Sequence, residues 1–363
     1  MDYAEFLRQK VHLTGSFGFD PVWMPDCAFD FQSHVITKAV RKGRIGLFED
    51  TGLGKTLQQL AIAENIIRHT NKRVLILTPL AVAFQFIDEA SRIGVGDIEH
   101  IRDSRMSKKI VVCNYERLHL LNADDFVCVM LDESSILKNF AGKTRDQVIA
   151  FIKRVPYRFL STATPSPNDF IELGNSSEAL GYMGYMDMLT KFFKSNQGSV
   201  DSNNRNIGEK FYLKPHAERD FFAWVNQWSV MVKKPSDLGF KDEGYDLPEL
   251  KVNQHMVNND DTWCIDGQSA LFAMPAKTMT EVREEQKLTV KKRCERAVTL
   301  ADKKTSVYWC NLNEESSLLS ELDSDAVEIV GGMSIDKKEE ILVAFARGEI
   351  KRLITKAKMT SMG

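Results

Sequence analysis

Three short stretches carry residue types whose spacing could do chemistry. The first is Gly46 to Thr56, Gly-Leu-Phe-Glu-Asp-Thr-Gly-Leu-Gly-Lys-Thr, where an apolar run, Ile45 to Phe48, leads into a glycine loop that precedes a segment with helical spacing. A strand, a glycine loop and a helix in that order suit a polyphosphate, because backbone N–H groups converge on the oxygens and the helix N-terminus adds partial positive charge. Thr51, Gly52, Leu53, Gly54, Lys55 and Thr56 form the expected cradle. Lys55 would reach the β- and γ-phosphates and the Thr56 hydroxyl would ligate Mg²⁺. The longer form of this loop has a further glycine where Glu49 stands, so the match is to a shortened Gly-x-Gly-Lys-Thr.

The second stretch is Phe126 to Leu131 running into Asp132-Glu133. An apolar strand delivering two carboxylates at its carboxyl end suits a Mg²⁺–ATP site. Asp132 would hold the metal's water shell and Glu133 would orient or deprotonate the attacking water. The third is Leu160-Ser-Thr-Ala-Thr-Pro165, again directly after a strand. The hydroxyl residues Ser161, Thr162 and Thr164 could bond the two carboxylates and relay nucleotide state to a second site. Lys55, Asp132 and Glu133 are thus the candidate catalytic residues, with ATP and Mg²⁺ (on Thr56 and Asp132) as the cofactors.

These stretches need a scaffold that brings strand ends together. Short apolar runs at 74–77, 110–113, 126–131 and 157–160 alternate with amphipathic stretches at 80–92 and 144–155, which predicts a parallel, doubly wound sheet. Residues 166–250 break the rhythm: 181–188 is rich in methionine and tyrosine, 195–206 reads as a polar loop, and 221–228 reads as helix before Met231 to Pro235. From Leu250 the rhythm resumes, with strands expected at 251–257, 306–310, 326–330 and 352–355 and helices at 278–303, 314–322 and 335–345. The fold class expected is α/β, with a first lobe over residues 1–235, a connector over 236–249 and a second lobe over 250–363.

Composition sets outer bounds. With 363 residues, 43% apolar and 27% charged, the chain has the make-up of an ordinary globular protein with room for two cores. No run of about 18 apolar residues exists, and Met1 to Lys10 is polar and amphipathic, so neither a membrane span nor a secretion signal is expected and the location expected is cytoplasmic. Six scattered cysteines without a Cys-x-x-Cys pair read as buried thiols rather than zinc ligands. A net charge of −2 advertises no nucleic acid globally, so any basic groove must be local.

Taken in order, residues 49–56, Asp132-Glu133 with Lys138-Asn139, and 160–165 resemble the superfamily 2 helicase-like ATPases. The nearest resemblance is to the Swi/Snf-type duplex-DNA translocases, and among them to compact bacterial or phage members. The resemblance implies two RecA-like lobes and an ATP hydrolase that moves along nucleic acid as the lobes close and open. It makes Gln32 the reader of adenine, and Leu77-Thr-Pro-Leu80, Asn114-Tyr-Glu116 and Leu353 to Ala357 the segments near nucleic acid, with Thr78, Pro79, Tyr115 and Lys356 as contacts. Met231 to Lys234 resembles the connector between lobes, and residues 181–245 are a candidate surface for protein partners. A monomer on double-stranded DNA is expected. Two departures stand out. The acidic box reads Asp-Glu-Ser-Ser, and the chain ends at Gly363 inside the fifth motif, before the arginine-bearing sixth, which implies a truncated second lobe and a chain that binds ATP but hydrolyses it poorly. A helicase on RNA or single strands, and a clamp that uses ATP without hydrolysing it, are the other readings.

Overall fold

The computed structural model describes residues 16–80, 82–138, 143–195, 211–245, 249–257, 264–265, 268–269, 278–302 and 304–357. The chain divides after Leu247 into two units.

The first unit is built in chain order from α1 (Asp30–Lys42), β1 (Arg44–Glu49), α2 (Lys55–Thr70), β2 (Arg73–Thr78), α3 (Ala83–Arg92), β3 (Ile98–His100), β4 (Ile110–Asn114) and β5 (Phe126–Asp132). It continues with α4 (Lys143–Ile152), β6 (Tyr157–Thr162), α5 (Leu173–Leu180), α6 (Tyr185–Phe192), β7 (Phe193–Ser195), β8 (Phe211–Leu213), α7 (Glu218–Trp228) and β9 (Ser229–Val232). Seven strands form one sheet in the order β3-β4-β2-β5-β6-β1-β9, and every pairing in it is parallel. Parallel strands need coverage on both faces, which is why these runs are continuously apolar rather than alternating. The side chains still divide by parity. Leu75, Leu77, Val129 and Leu131 enter one core and Val74, Ile76, Cys128 and Met130 the other.

Helix α2 is buried along most of its length, from Leu57 to Ile67, and packs against α1. Between β6 and β9 the chain forms the expected mostly helical element. It closes over an aromatic cluster in which Phe192, Phe221, Trp224 and Trp228 lie within 5.3–5.8 Å of a neighbouring ring. The antiparallel pair β7–β8 was not foreseen, and most of the expected polar loop, 196–206, lies outside the described residues. A more consequential difference concerns Met231 and Val232. In the stretch that resembles a connector, these two residues form the end of strand β9, paired in parallel with β1 (Phe48 with Met231, Glu49 with Val232). The β-branched pair Val230 and Val232 is buried against the core on one side of β1, and that burial draws the segment into the sheet.

The second unit has a short antiparallel pair, β10 (Cys264–Ile265) and β11 (Gln268–Ser269), then α8 (Met279–Leu288), α9 (Val290–Ala301), β12 (Ser306–Trp309), α10 (Asn313–Leu322), β13 (Ala326–Glu328), α11 (Ile335–Ala346) and β14 (Arg352–Thr355). Its three-stranded sheet runs β12-β14-β13, all parallel. Two expectations are corrected. Residues 251–257 form no strand, and Leu250, Val252 and Met256 are exposed, so the apolar alternation there has no face to cover. The long helix expected over 278–303 is two helices separated at Thr289, whose hydroxyl accepts from Arg293 Nε while the Gln286 carbonyl accepts from Arg293 Nη2. Among the described cysteines, Cys113, Cys128, Cys294 and Cys310 are buried while Cys27 is exposed. No helix among the described residues is long and apolar enough to cross a membrane.

Candidate nucleotide site at the carboxyl ends of the central strands

Strand order decides what meets what. Reading across β4-β2-β5-β6-β1, the carboxyl ends present Asn114, Thr78, Asp132, Thr162 and Glu49 in turn, although these residues are far apart in sequence. The carboxyl edge of a parallel sheet is where ligands bind in such folds.

The glycine loop leaves β1 and enters α2 at Lys55. Gly52 and Gly54 have φ of +84° and +79°, left-handed values that side chains rarely adopt. Space demands glycine at 54 as well, since a Cβ there would fall 2.3 Å from Gln32 Nε2. The Lys55 ammonium donates to the carbonyls of Glu49 and Asp50, both at 2.9 Å, so the loop is wrapped around its own cation. Thr51 N donates to Asp50 Oδ1 at 2.7 Å. Leu53 anchors the loop from within: its side chain is buried and its carbonyl accepts from Gln32 Nε2 (3.0 Å) and Gln58 Nε2 (3.2 Å). Gln32 Oε1 accepts from Phe29 N, so the amide expected to read adenine also staples α1 to the loop and keeps one N–H uncommitted in these bonds.

Asp132 ends β5 with a carboxylate held on both oxygens. Gln59 Nε2 donates to Oδ1 at 2.8 Å and Thr78 Oγ1 to Oδ2 at 3.2 Å. Burial pushes its pKa up, and the bonds from Gln59 and Thr78 pull the other way. Tyr115 OH donates to the Asp132 carbonyl at 2.7 Å. Glu133 follows with φ of +54°, a left-handed backbone that turns its side chain back over the strand ends. Its Oε1 accepts from Ser135 Oγ and Thr162 Oγ1, each at 2.6 Å.

The expected site residues therefore sort into groups. Lys55, Thr56, Asp132, Glu133 and Thr162 come to one edge of the sheet. Of the three expected relay residues only Thr162 touches a carboxylate. Thr164 is exposed and contributes its backbone N–H to Thr162 Oγ1, and Ser161 Oγ is buried without a partner among the described residues. Thr78 and Tyr115 are buried, and their hydroxyls point at Asp132 rather than outward, so neither offers its polar tip to a nucleic acid. Pro79 is buried as well, and its carbonyl accepts from Asn114 Nδ2, so it does not present a surface to a nucleic acid either. Lys356 stands in the second unit, where its ammonium donates to Asn313 Oδ1. Three functional candidates went unforeseen: Gln58, Gln59 and the Glu49 side chain. Their signal was two adjacent glutamines inside an otherwise apolar helical stretch, a position where unpaired amides would be costly.

The oxygen donors suit Mg²⁺. Hard hydroxyl and carboxylate ligands are what that ion takes, usually one or two carboxylates with waters and phosphates completing the shell. Each Asp132 oxygen keeps a lone pair beyond its bond from Gln59 or Thr78, and those two bonds fix the carboxylate's orientation.

No protein-family model matches the chain. It is 28% identical over 154 residues to the Xenopus tropicalis SWI/SNF-related matrix-associated actin-dependent regulator of chromatin subfamily A-like protein 1, and 27% identical over the same length to its Xenopus laevis counterpart. The match spans 39% of this chain and only 16% of those proteins' length. Among solved structures the chain is similar to a Sulfolobus solfataricus SWI2/SNF2 ATPase core in complex with dsDNA, at 15% identity and a TM-score of 0.48, covering 93% of this chain and 80% of that one. It is also similar to the UvsW helicase from Bacteriophage T4, at 16% identity and a TM-score of 0.36, covering 51% and 66%.

Proposed function

We propose that this chain is the ATP-binding core of a nucleic-acid motor that moves along duplex DNA. The observation that supports it most is the contact of Thr162 with Glu133, beside Asp132 and on the same sheet edge as the Lys55 loop. A carboxylate poised to order water is thereby gripped by a hydroxyl from the next strand. Any change of nucleotide at Glu133 is felt at residues 162–165. The motif order that resembles Swi/Snf-type translocases, and the SWI/SNF-related names of the curated relatives, support the nucleic-acid half of the reading.

In this reading the amides of residues 52–56 and the Lys55 ammonium hold the β- and γ-phosphates, exchanging the Glu49 and Asp50 carbonyls for phosphate oxygens. Thr56 and Asp132 hold Mg²⁺, which neutralises charge developing on the transferred phosphoryl group. Glu133 orients the attacking water, and Gln32 meets adenine with its remaining amide hydrogen. Lys356 stays as a contact to the phosphate backbone, while Thr78 and Tyr115 act at one remove, through Asp132. A motor that tracks a backbone needs phosphate contacts and little base reading.

The test is ATP turnover without nucleic acid and with single-stranded DNA, duplex DNA or RNA. Duplex-stimulated turnover supports the translocase. Stimulation by single strands or RNA alone replaces it with a strand-separating helicase, and binding of nucleotide with no turnover under any condition replaces it with a clamp. Lys55→Ala should abolish binding of a fluorescent ATP analogue, and undiminished binding would refute the loop assignment.

A further inference from the structure

The turn that carries Glu133 is held by a buried amide for which the nucleotide reading has no use. Glu133 has a left-handed backbone, which is costly for a residue with a Cβ and persists only where the surroundings hold it. Its carboxylate is gripped by Thr162 from β6 and by Ser135 from the turn itself. Its carbonyl accepts from Ile136 N at 3.3 Å, which closes the turn Ser134–Lys138. Ser135 and Leu137 are buried in that turn. A seryl hydroxyl sits on a single methylene and follows its backbone, so Ser135 serves Glu133 only while the turn keeps its place.

The group that keeps it there comes from another part of the chain. Asn175 lies in α5, the first α-helix after β6, and is shut off from solvent. An asparagine is a poor helix former and costly to bury, so its bonds are informative. Nδ2 donates to the Leu137 carbonyl at 2.8 Å, and Oδ1 accepts from Arg145 Nη2 at 3.0 Å. A guanidinium only donates, so it must face Oδ1, and that leaves the NH₂ for the carbonyl. Arg145, in α4, is steered in turn by Asp146 at 2.7 Å and Glu178 at 3.8 Å. Helix α5 packs against the turn, and Leu137 shares a core with Leu173 and Leu180 of that helix.

We propose that Asn175 is a positioning residue for Glu133, its amide pinning the Leu137 carbonyl so that the turn presents Ser135 to the Glu133 carboxylate. The links run from Arg145 through Asn175 to Leu137, and from Ser135 in the same turn to Glu133 and Thr162, each 2.6–3.0 Å long. The helical element between β6 and β9 thereby helps to set the carboxylate that β6 grips directly. The effect on turnover rests on reading Glu133 as the residue that orients the attacking water, whereas the pin itself does not.

Asn175→Asp tests the pin in the whole chain, since it keeps an acceptor for Arg145 and removes only the donor to the Leu137 carbonyl. Without nucleotide, amides of residues 134–138 should exchange faster by roughly fivefold or more beyond any change in α2, because the turn opens locally. A loss of global stability alone would speed both alike. Turnover should fall roughly tenfold or more while ATP-analogue affinity stays within about twofold, since the group that handles water is displaced and the Lys55 loop is not. In a Ser135→Ala background, adding Asn175→Asp should lower turnover little further, because the hydroxyl it positions is gone. Turn amides that keep pace with α2, unchanged turnover, or an equal effect in both backgrounds would each overturn the proposal. Should Asn175→Asp fail to fold, Arg145→Met leaves the amide without the donor that orients it, and exchange at 134–138 that matches α2 in that variant would overturn the proposal as well. In a parent that turns over no ATP, exchange decides: selective acceleration of the turn supports the pin and counts against the reading of Glu133 alone.

Discussion

The buried carboxyl of Glu49 makes a prediction that needs no nucleotide. Burial pushes its pKa up from 4.5 to about 7, with Gln58 and Lys55 only partly offsetting that effect. The sign follows from comparing folded and unfolded chains. Well below 4.5 the group is protonated in both states and contributes no difference. Between 4.5 and about 7 the unfolded chain releases its proton while the folded one keeps it, so stability falls as pH rises. Above about 7 both states are ionised and the full loss is in place. At 1.36 kcal/mol per unit, the shift corresponds to about 3 kcal/mol at most, since water reaching the carboxyl through an opened loop would lower the folded value. Glu49→Gln keeps an acceptor for Gln58 Nε2 and has nothing to ionise. Relative to the parent it should gain about 3 kcal/mol between roughly pH 4.5 and pH 8, an increase in melting-temperature difference on the order of 6–12 °C for the first unit. Thermal melts of both proteins at closely spaced pH values make the measurement, and groups common to both cancel in the difference. Melting curves that keep a constant separation across that range would refute the burial of an ionisable carboxyl at this position.

Three further outcomes follow from the site. Glu133→Gln should retain ATP-analogue binding while turnover falls by roughly 10²-fold or more, as expected when a base that handles the attacking water is lost; an active variant would reassign the base. Gln59→Leu removes the donor to Asp132 Oδ1 and should weaken Mg²⁺-dependent nucleotide binding by about 10–100-fold with little change in Mg²⁺-free binding, which a titration with and without the metal distinguishes. Tyr115→Phe leaves the Asp132 carbonyl without its hydroxyl donor and should cost on the order of 1–3 kcal/mol in denaturant unfolding of the first unit, whereas no change would mean that the 2.7 Å bond is not formed in solution.

The parts of the fold legible in the sequence are those whose signal is local. Five strand positions of the first sheet were readable because a strand buried on both faces must be apolar throughout, and the phosphate loop because its turns demand glycine at 52 and 54. Strand β9 was not readable, because Ser229 to Val232 is short and becomes a strand only through the free edge of β1. The same limit explains Thr78 and Tyr115. Their place in the motifs pointed to nucleic acid, but burial turned both hydroxyls toward Asp132. For residues 251–257 the error ran the other way, since an alternating pattern does not make a strand without a neighbour to pair with.

By itself the sequence determined which atoms are present for the chemistry: an ammonium and a hydroxyl after a glycine loop, two carboxylates after a buried strand, and hydroxyls after another. Residue type and local spacing suffice for that, because each unit of strand plus turn carries its own physical signature. Only the tertiary structure decided which of them act together. The order β4-β2-β5-β6-β1 brings Thr162 to Glu133 and Gln59 to Asp132, passes over Ser161, and leaves Glu49, Gln58 and Tyr245 with buried polar atoms in want of partners. Strand order and burial are properties of the whole core rather than of any stretch of the chain, since hydrophobic burial has no direction and each polar group takes the partner that the packed core leaves within reach.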